Sequence, residues 1–182
     1  MTTQADRRNN WRLETFRATG YDRGRPFLVQ AAWHLVSPVL MWVFVPSAWR
    51  CAILRFLGAD IGEGVLIRHR VRIHWPWKLS IGDHSWVGEG TWILNLEQVR
   101  IGSQTCISQD VLLCTGSHDR LSSSFDFDNA PIVVGDRCWV AVRSTVLRGV
   151  TIGDDVVIGA ASLVTNDIAS GTIVRAPRAQ QV

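Results

Sequence analysis

Cysteine is scarce in this chain and unpaired in sequence. Cys51, Cys106, Cys114 and Cys138 form no Cys-x-x-Cys pair. Neither a zinc knuckle nor a disulfide framework is indicated, and reduced cysteines serving as small hydrophobes are expected. A clustered basic face is also missing. Residues 61–182 hold eleven Lys or Arg against twelve acids, and the basic excess sits in residues 1–60, eight Arg against four acids. Nucleic acid is therefore not expected as a partner. No leader pattern is read: Met1 to Asn10 is polar and the apolar stretch begins later, so a cytoplasmic protein is expected. Finally, Phe27 to Trp49 contains no Lys, Arg, Asp or Glu. Its length would permit a membrane span, but Pro38, Pro46, His34 and Gln30 argue against a plain one.

What the chain has in abundance is a period of six. Five blocks open with an aliphatic-Gly pair: Ile61-Gly62, Ile81-Gly82, Ile101-Gly102, Val134-Gly135 and Ile152-Gly153. Within the blocks an aliphatic residue returns at every sixth position, as in Ile61, Ile67, Ile73 and in Ile152, Ile158, Val164. Four residues on sits a small or β-branched residue, such as Ser85, Thr105, Cys138 or Ser144. Six is the period of neither a helix nor a flat strand. It fits a short strand and a corner, three of which make one turn of a three-sided coil. The aliphatic columns should stack into one dry core, and Gly at the first corner is expected to supply a left-handed backbone. Two extra residues in each of the first two coils, at Leu79-Ser80 and Val99-Arg100, should bulge at a corner. A larger insertion, 119–131, separates Leu113 from Val134; it is polar, carries Phe125 and Phe127, and is expected to be thrown outward.

The expected organisation is an N-terminal extension of apolar and amphipathic helices over 1–58, a β-helix over 59–175 and a tail over 176–182. Two readings of the extension stand side by side. It caps the first coil, whose strand edge needs cover. Or it enters the inner membrane face shallowly, with Arg50 and Arg55 at the headgroups.

Of the five histidines, His118 stands apart, because it lies where the long insertion departs, in Cys114-Thr115-Gly116-Ser117-His118-Asp119. A histidine at a loop root can face solvent and take or give a proton. Asp119 is the candidate to orient its ring. A three-histidine zinc site, as in the gamma-class carbonic anhydrases, is hard to assemble, because no histidine follows Asp119. A non-catalytic scaffold remains the other alternative.

The Ile-Gly-x-x-Thr/Ser-x repeat resembles the hexapeptide acyltransferases. Leu57-Gly58-Ala59-Asp60-Ile61-Gly62, Trp75-Pro76-Trp77-Lys78-Leu79 and the Thr115-to-Asp119 stretch resemble the colanic acid biosynthesis acetyltransferase group, related to galactoside and maltose O-acetyltransferases. The resemblance implies a left-handed parallel β-helix and acetyl transfer from acetyl-CoA to a sugar or glycan hydroxyl, without a metal. It also implies a homotrimer whose cofactor groove lies between subunits. It carries the general base to His118. Cofactor contacts are expected at Trp139, Ala141, Gly159, Ala160 and Thr165, with Arg175 and Arg178 for phosphate and the region of Ser144 for the oxyanion. Glu89 and Asn95 are the candidates for the acceptor.

Overall fold

The computed structural model describes residues 12–17 and 20–176. The period of six becomes a three-sided parallel solenoid. The first sheet stacks Asp60–Ile61, Leu79–Ile81, Val99–Ile101, Ile132–Val134 and Thr151–Ile152. The second stacks Leu66–Ile67, Trp86–Val87, Cys106–Ile107, Trp139–Val140, Val157–Ile158 and Ile173–Val174. The third stacks Arg72–Ile73, Trp92–Leu94, Leu112–Cys114, Thr145–Leu147 and Leu163–Val164. Every aliphatic residue of the repeat pairs in register with its counterpart one coil on, as Ile61 with Ile81 and Ile67 with Val87. These columns are the core, and nearly all are fully buried. The small positions form a ladder beside them. Ser85 Oγ donates to Gly102 O at 2.6 Å, Thr105 Oγ1 to Gly135 O at 2.7 Å and Cys138 Sγ to Gly153 O at 3.0 Å. A small donor at this slot satisfies a carbonyl that would otherwise be buried and unpaired. All four cysteines are free thiols.

The glycines of the aliphatic-Gly pairs do not serve the expected purpose. None of them has a positive φ; the left-handed corners fall two residues later, at Gly64, His84, Gln104, Arg137 and Asp155. What demands glycine is the closeness of the next coil. A Cβ on Gly102 would stand 2.5 Å from the backbone carbon and oxygen of Gly135. Since stacked backbone cannot give way, Gly102→Ala is expected to cost about 2 kcal/mol or more, read as a lowered midpoint in urea. An unchanged midpoint would show that the coils can slide.

The extra residues of the early coils are absorbed before the places where they were expected. Leu79-Ser80 and Val99-Arg100 lie in regular, paired strand. The surplus is taken up at the corner between the third and first sheets, by a 3-10 turn over Pro76–Lys78 in the first coil. The same corner emits the long insertion, between Cys114 and Ile132. The solenoid thus concentrates its irregularity on one edge.

Two helices, α1 (Phe27–Leu40) and α2 (Ser47–Phe56), close the first coil. Each sheet ends there in a carbonyl with no next strand, and each is met by a side chain from the helices. Arg55 Nε donates to Ile61 O at 2.7 Å, Arg50 Nη1 to Ile67 O at 2.9 Å and Trp33 Nε1 to Ile73 O at 3.1 Å. Arg50 also reaches Leu40 O, at the last residue of α1, and Trp42 O just beyond it. It is buried, and burial, with Arg68 nearby, holds its pKa below the ordinary guanidinium range. The placement of Arg50 and Arg55 at lipid headgroups is therefore corrected: both are spent on the strand edge. No helix among the described residues is long and apolar enough to cross a membrane.

Candidate active site

His118 sits four residues beyond the strand Leu112–Cys114, at the irregular corner, half-buried. The insertion does not point outward, as expected, but folds back on it. Phe127 forms an antiparallel bridge with His118. The Phe125 ring stacks on the imidazole with centroids 4.3 Å apart and planes 7° apart, and the Phe127 ring lies 5.0 Å away. Phe16, from the N-terminal segment, meets the same ring edge-on at 5.2 Å. Three aromatic rings thus fix the imidazole plane.

The hydrogen bond of His118 selects its tautomer. Nδ1 lies 2.8 Å from Phe125 O. A carbonyl only accepts, so Nδ1 carries a proton, and in the neutral ring Nε2 holds the lone pair. Phe125 reaches this position with φ +54°, a conformation that costs a bulky residue about 1–3 kcal/mol. Asp119 does not orient the ring. Its Oδ1 accepts the Leu121 N–H at 2.8 Å and closes the turn of the loop. Adjacent residues point apart, and the orienting oxygen comes instead from the returning chain.

The loop is tied to the coils at its far end. Arg148 pairs with Asp128. Asn129 Oδ1 accepts the Ser117 N–H at 3.1 Å, while its Nδ2 is buried without a partner. Beneath the loop root lies a cleft of about 330 Å³ lined by Gly116, Ser117, Leu147, Arg148 and Thr165. A second cleft, of about 430 Å³, runs along the last coils past Leu163 and Thr165 to Arg175. Thr165 borders both.

The other candidates divide accordingly. Thr165 and Arg175 flank these clefts, and Ala160 is exposed on the last coils. Ala141 and Gly159 spend their N–H groups on Ile158 O and Val174 O. Ser144 is fully buried; its N–H goes to Ala141 O and its hydroxyl to Gly159 O, so both of its donors are used inside the coil. Trp139 lies elsewhere, half-exposed on the second sheet beside Trp86, its Nε1 on Ser108 Oγ at 2.9 Å. Arg178 lies outside the described residues. Asn95 is a buried clamp: its side chain receives the N–H groups of His74 and Trp75 and donates to Trp75 O and Lys78 O. Glu89 is held by His69 and Arg70.

Among the described residues no three His, Cys, Asp or Glu side chains are grouped to hold a metal ion. His84 and His118 stand at different corners of the prism, and burial with a neighbouring His34 pushes the pKa of His74 down to about 4.

Sequence reasoning missed Phe16, Phe125, Phe127 and Arg148. The alternation Phe125-Asp126-Phe127 is a period-two signal that could have suggested a returning strand. Nothing local marks Phe16, which is brought in from about a hundred residues away.

A stacked hexapeptide solenoid with one histidine at the root of an insertion is the build of a β-helix transferase. A family description of bacterial transferase hexapeptide (six repeats) matches residues 131–166. The protein named colanic acid biosynthesis acetyltransferase WcaF of Escherichia coli is 41% identical over 157 residues, 86% of each chain. Galactoside O-acetyltransferase of Escherichia coli is 30% identical over 122 residues, 65% of this chain and 60% of that one. The solved hexapeptide-repeat acetyltransferase of Vibrio cholerae, complexed with acetyl coenzyme A, superposes with a TM-score of 0.75 at 23% identity, covering 82% of both chains. The chain belongs to the hexapeptide-repeat acyltransferase superfamily, in the colanic acid biosynthesis acetyltransferase group, and is an acetyltransferase.

Proposed function

We propose that the chain moves the acetyl group of acetyl-CoA to a hydroxyl of a sugar or exopolysaccharide precursor, with His118 as general base. The observation that carries this is the Nδ1 contact to Phe125 O, which leaves Nε2 as the free proton acceptor. A sugar hydroxyl is a weak acid, so it must lose its proton as its oxygen attacks the thioester carbonyl. Nε2 takes that proton. The tetrahedral intermediate then collapses, the C–S bond breaks, and the imidazolium returns the proton to the departing thiolate. The products are the acetyl ester and CoA.

The junction of the two clefts at Thr165 supports a cofactor path from Arg175 to the loop root. A guanidinium at the far end suits a nucleotide phosphate. The sugar acceptor is supported by the names of the relatives. The test is CoA release with a panel of galactosides, glucosides, fucosides and maltose; release no faster than hydrolysis on every member would favour the scaffold reading.

The working unit in this reading is a homotrimer. Trp86 and Trp139, 55% and 52% exposed on the second sheet, are apolar surface that a neighbouring subunit would cover. Sedimentation equilibrium is expected to return three chains; a monomer at micromolar concentration would remove the shared groove.

A further inference from the structure

The helical cap is apolar on both faces. Trp33 and Leu40 of α1 are buried in the core, while Leu28, Leu35 and Val39 are 79%, 79% and 65% exposed. The connection to α2 adds Trp42 and Phe44, 60% and 80% exposed, and α2 adds Trp49 and Phe56. A helix apolar all round belongs in apolar surroundings, and a patch of this extent marks a contact surface. Between residues 26 and 59 the only charges are Arg50 and Arg55, both turned to the strand-edge carbonyls.

The flank of this patch is basic. Arg68, Arg70 and Arg72 of the first coil are exposed. The Arg70 N–H donates to Met41 O at 2.8 Å, and one cleft joins Met41 and Trp42 to Arg70 and Arg72. Arg70 is paired with Glu89, Asp110 lines the far side of the same cleft, and Arg68 forms no ion pair among the described residues. An aromatic apolar tip with arginines behind it complements a bilayer surface, where tails lie beneath phosphates. A second copy docked end to end would instead bring two arginine rows together.

We propose that the α1–α2 cap lies in the plane of an anionic phospholipid surface, with Trp42 and Phe44 inserted and Arg68, Arg70 and Arg72 at the phosphates. The corner bearing His118 belongs to the third coil, about 10 Å above the first at two inter-strand spacings. Resting on the acyl-transfer reading, the acceptor class follows: a sugar carried on a membrane lipid, presented beside the site.

The test is flotation of the full chain with phosphatidylcholine vesicles, with and without phosphatidylglycerol. Binding is expected to be about tenfold stronger with phosphatidylglycerol. Trp42→Ser with Phe44→Ser should lower it about tenfold or more on those vesicles. Arg68→Ser with Arg70→Ser should remove the preference for phosphatidylglycerol. Flotation does not depend on catalysis, and CoA release with a soluble sugar should be unchanged in the tip variant, so docking and chemistry fail separately. Wild-type protein that stays unbound, or a tip variant that floats like wild type, overturns the proposal. So does a tip variant that dissociates the wild-type oligomer, which would make the cap an interface between copies.

Discussion

His118→Ala is expected to lower kcat for acetyl transfer by about two to four orders of magnitude, the ordinary loss on removing a general base. The KM for acetyl-CoA should hardly move, because the cofactor path is assigned to Thr165 and Arg175 on later coils. His118→Asn is the control for packing, since its amide can still donate to Phe125 O but cannot accept a hydroxyl proton at neutral pH. It should be as slow as the alanine variant. Asp119→Asn should matter little, because Oδ1 remains to receive the Leu121 N–H. Near-full activity in His118→Ala, with the loop and oligomer intact, would end the proposed mechanism.

Arg50→Ala should strongly destabilise the cap. It strips hydrogen bonds from Leu40 O, Trp42 O and Ile67 O at a buried site. Bonds to a charged donor contribute about 1.5–3 kcal/mol each, and carbonyls left dry and unpaired cost more than their average. A loss of about 3 kcal/mol or more is expected, or a fall in Tm on the order of 6–12 °C for a chain of this size. Arg50→Lys should fall between, because one ammonium cannot serve three carbonyls arranged around a planar fork. Thermal unfolding followed by circular dichroism measures both. An unchanged Tm in Arg50→Ala would mean that water replaces the guanidinium and that this end of the solenoid is open.

The hexapeptide columns could be read directly because a stacked coil templates itself. Ile67, Val87, Ile107, Val140 and Ile158 occupy one column by repetition alone, and the structure pairs them so. The reason for the glycines could not be read. Crowding from the coil above, as at Gly102 against Gly135, and a left-handed corner both demand glycine, and one sequence position does not distinguish them. Arginines in an apolar segment were equally ambiguous. Arg50 suits a headgroup or a buried carbonyl cluster, and the packing of α2 on the first coil decides for the carbonyls.

By itself, then, the sequence determined the period, the core columns, the corner at which the insertion leaves and the histidine at its root. All of these are local or repeat at a fixed step. The tertiary structure decided what meets that histidine. The carbonyl of Phe125 returns from seven residues on, and the ring of Phe16 arrives from the N-terminal segment. Such contacts depend on how the chain closes in space; the Phe125-Asp126-Phe127 alternation marks a returning strand but not what it meets.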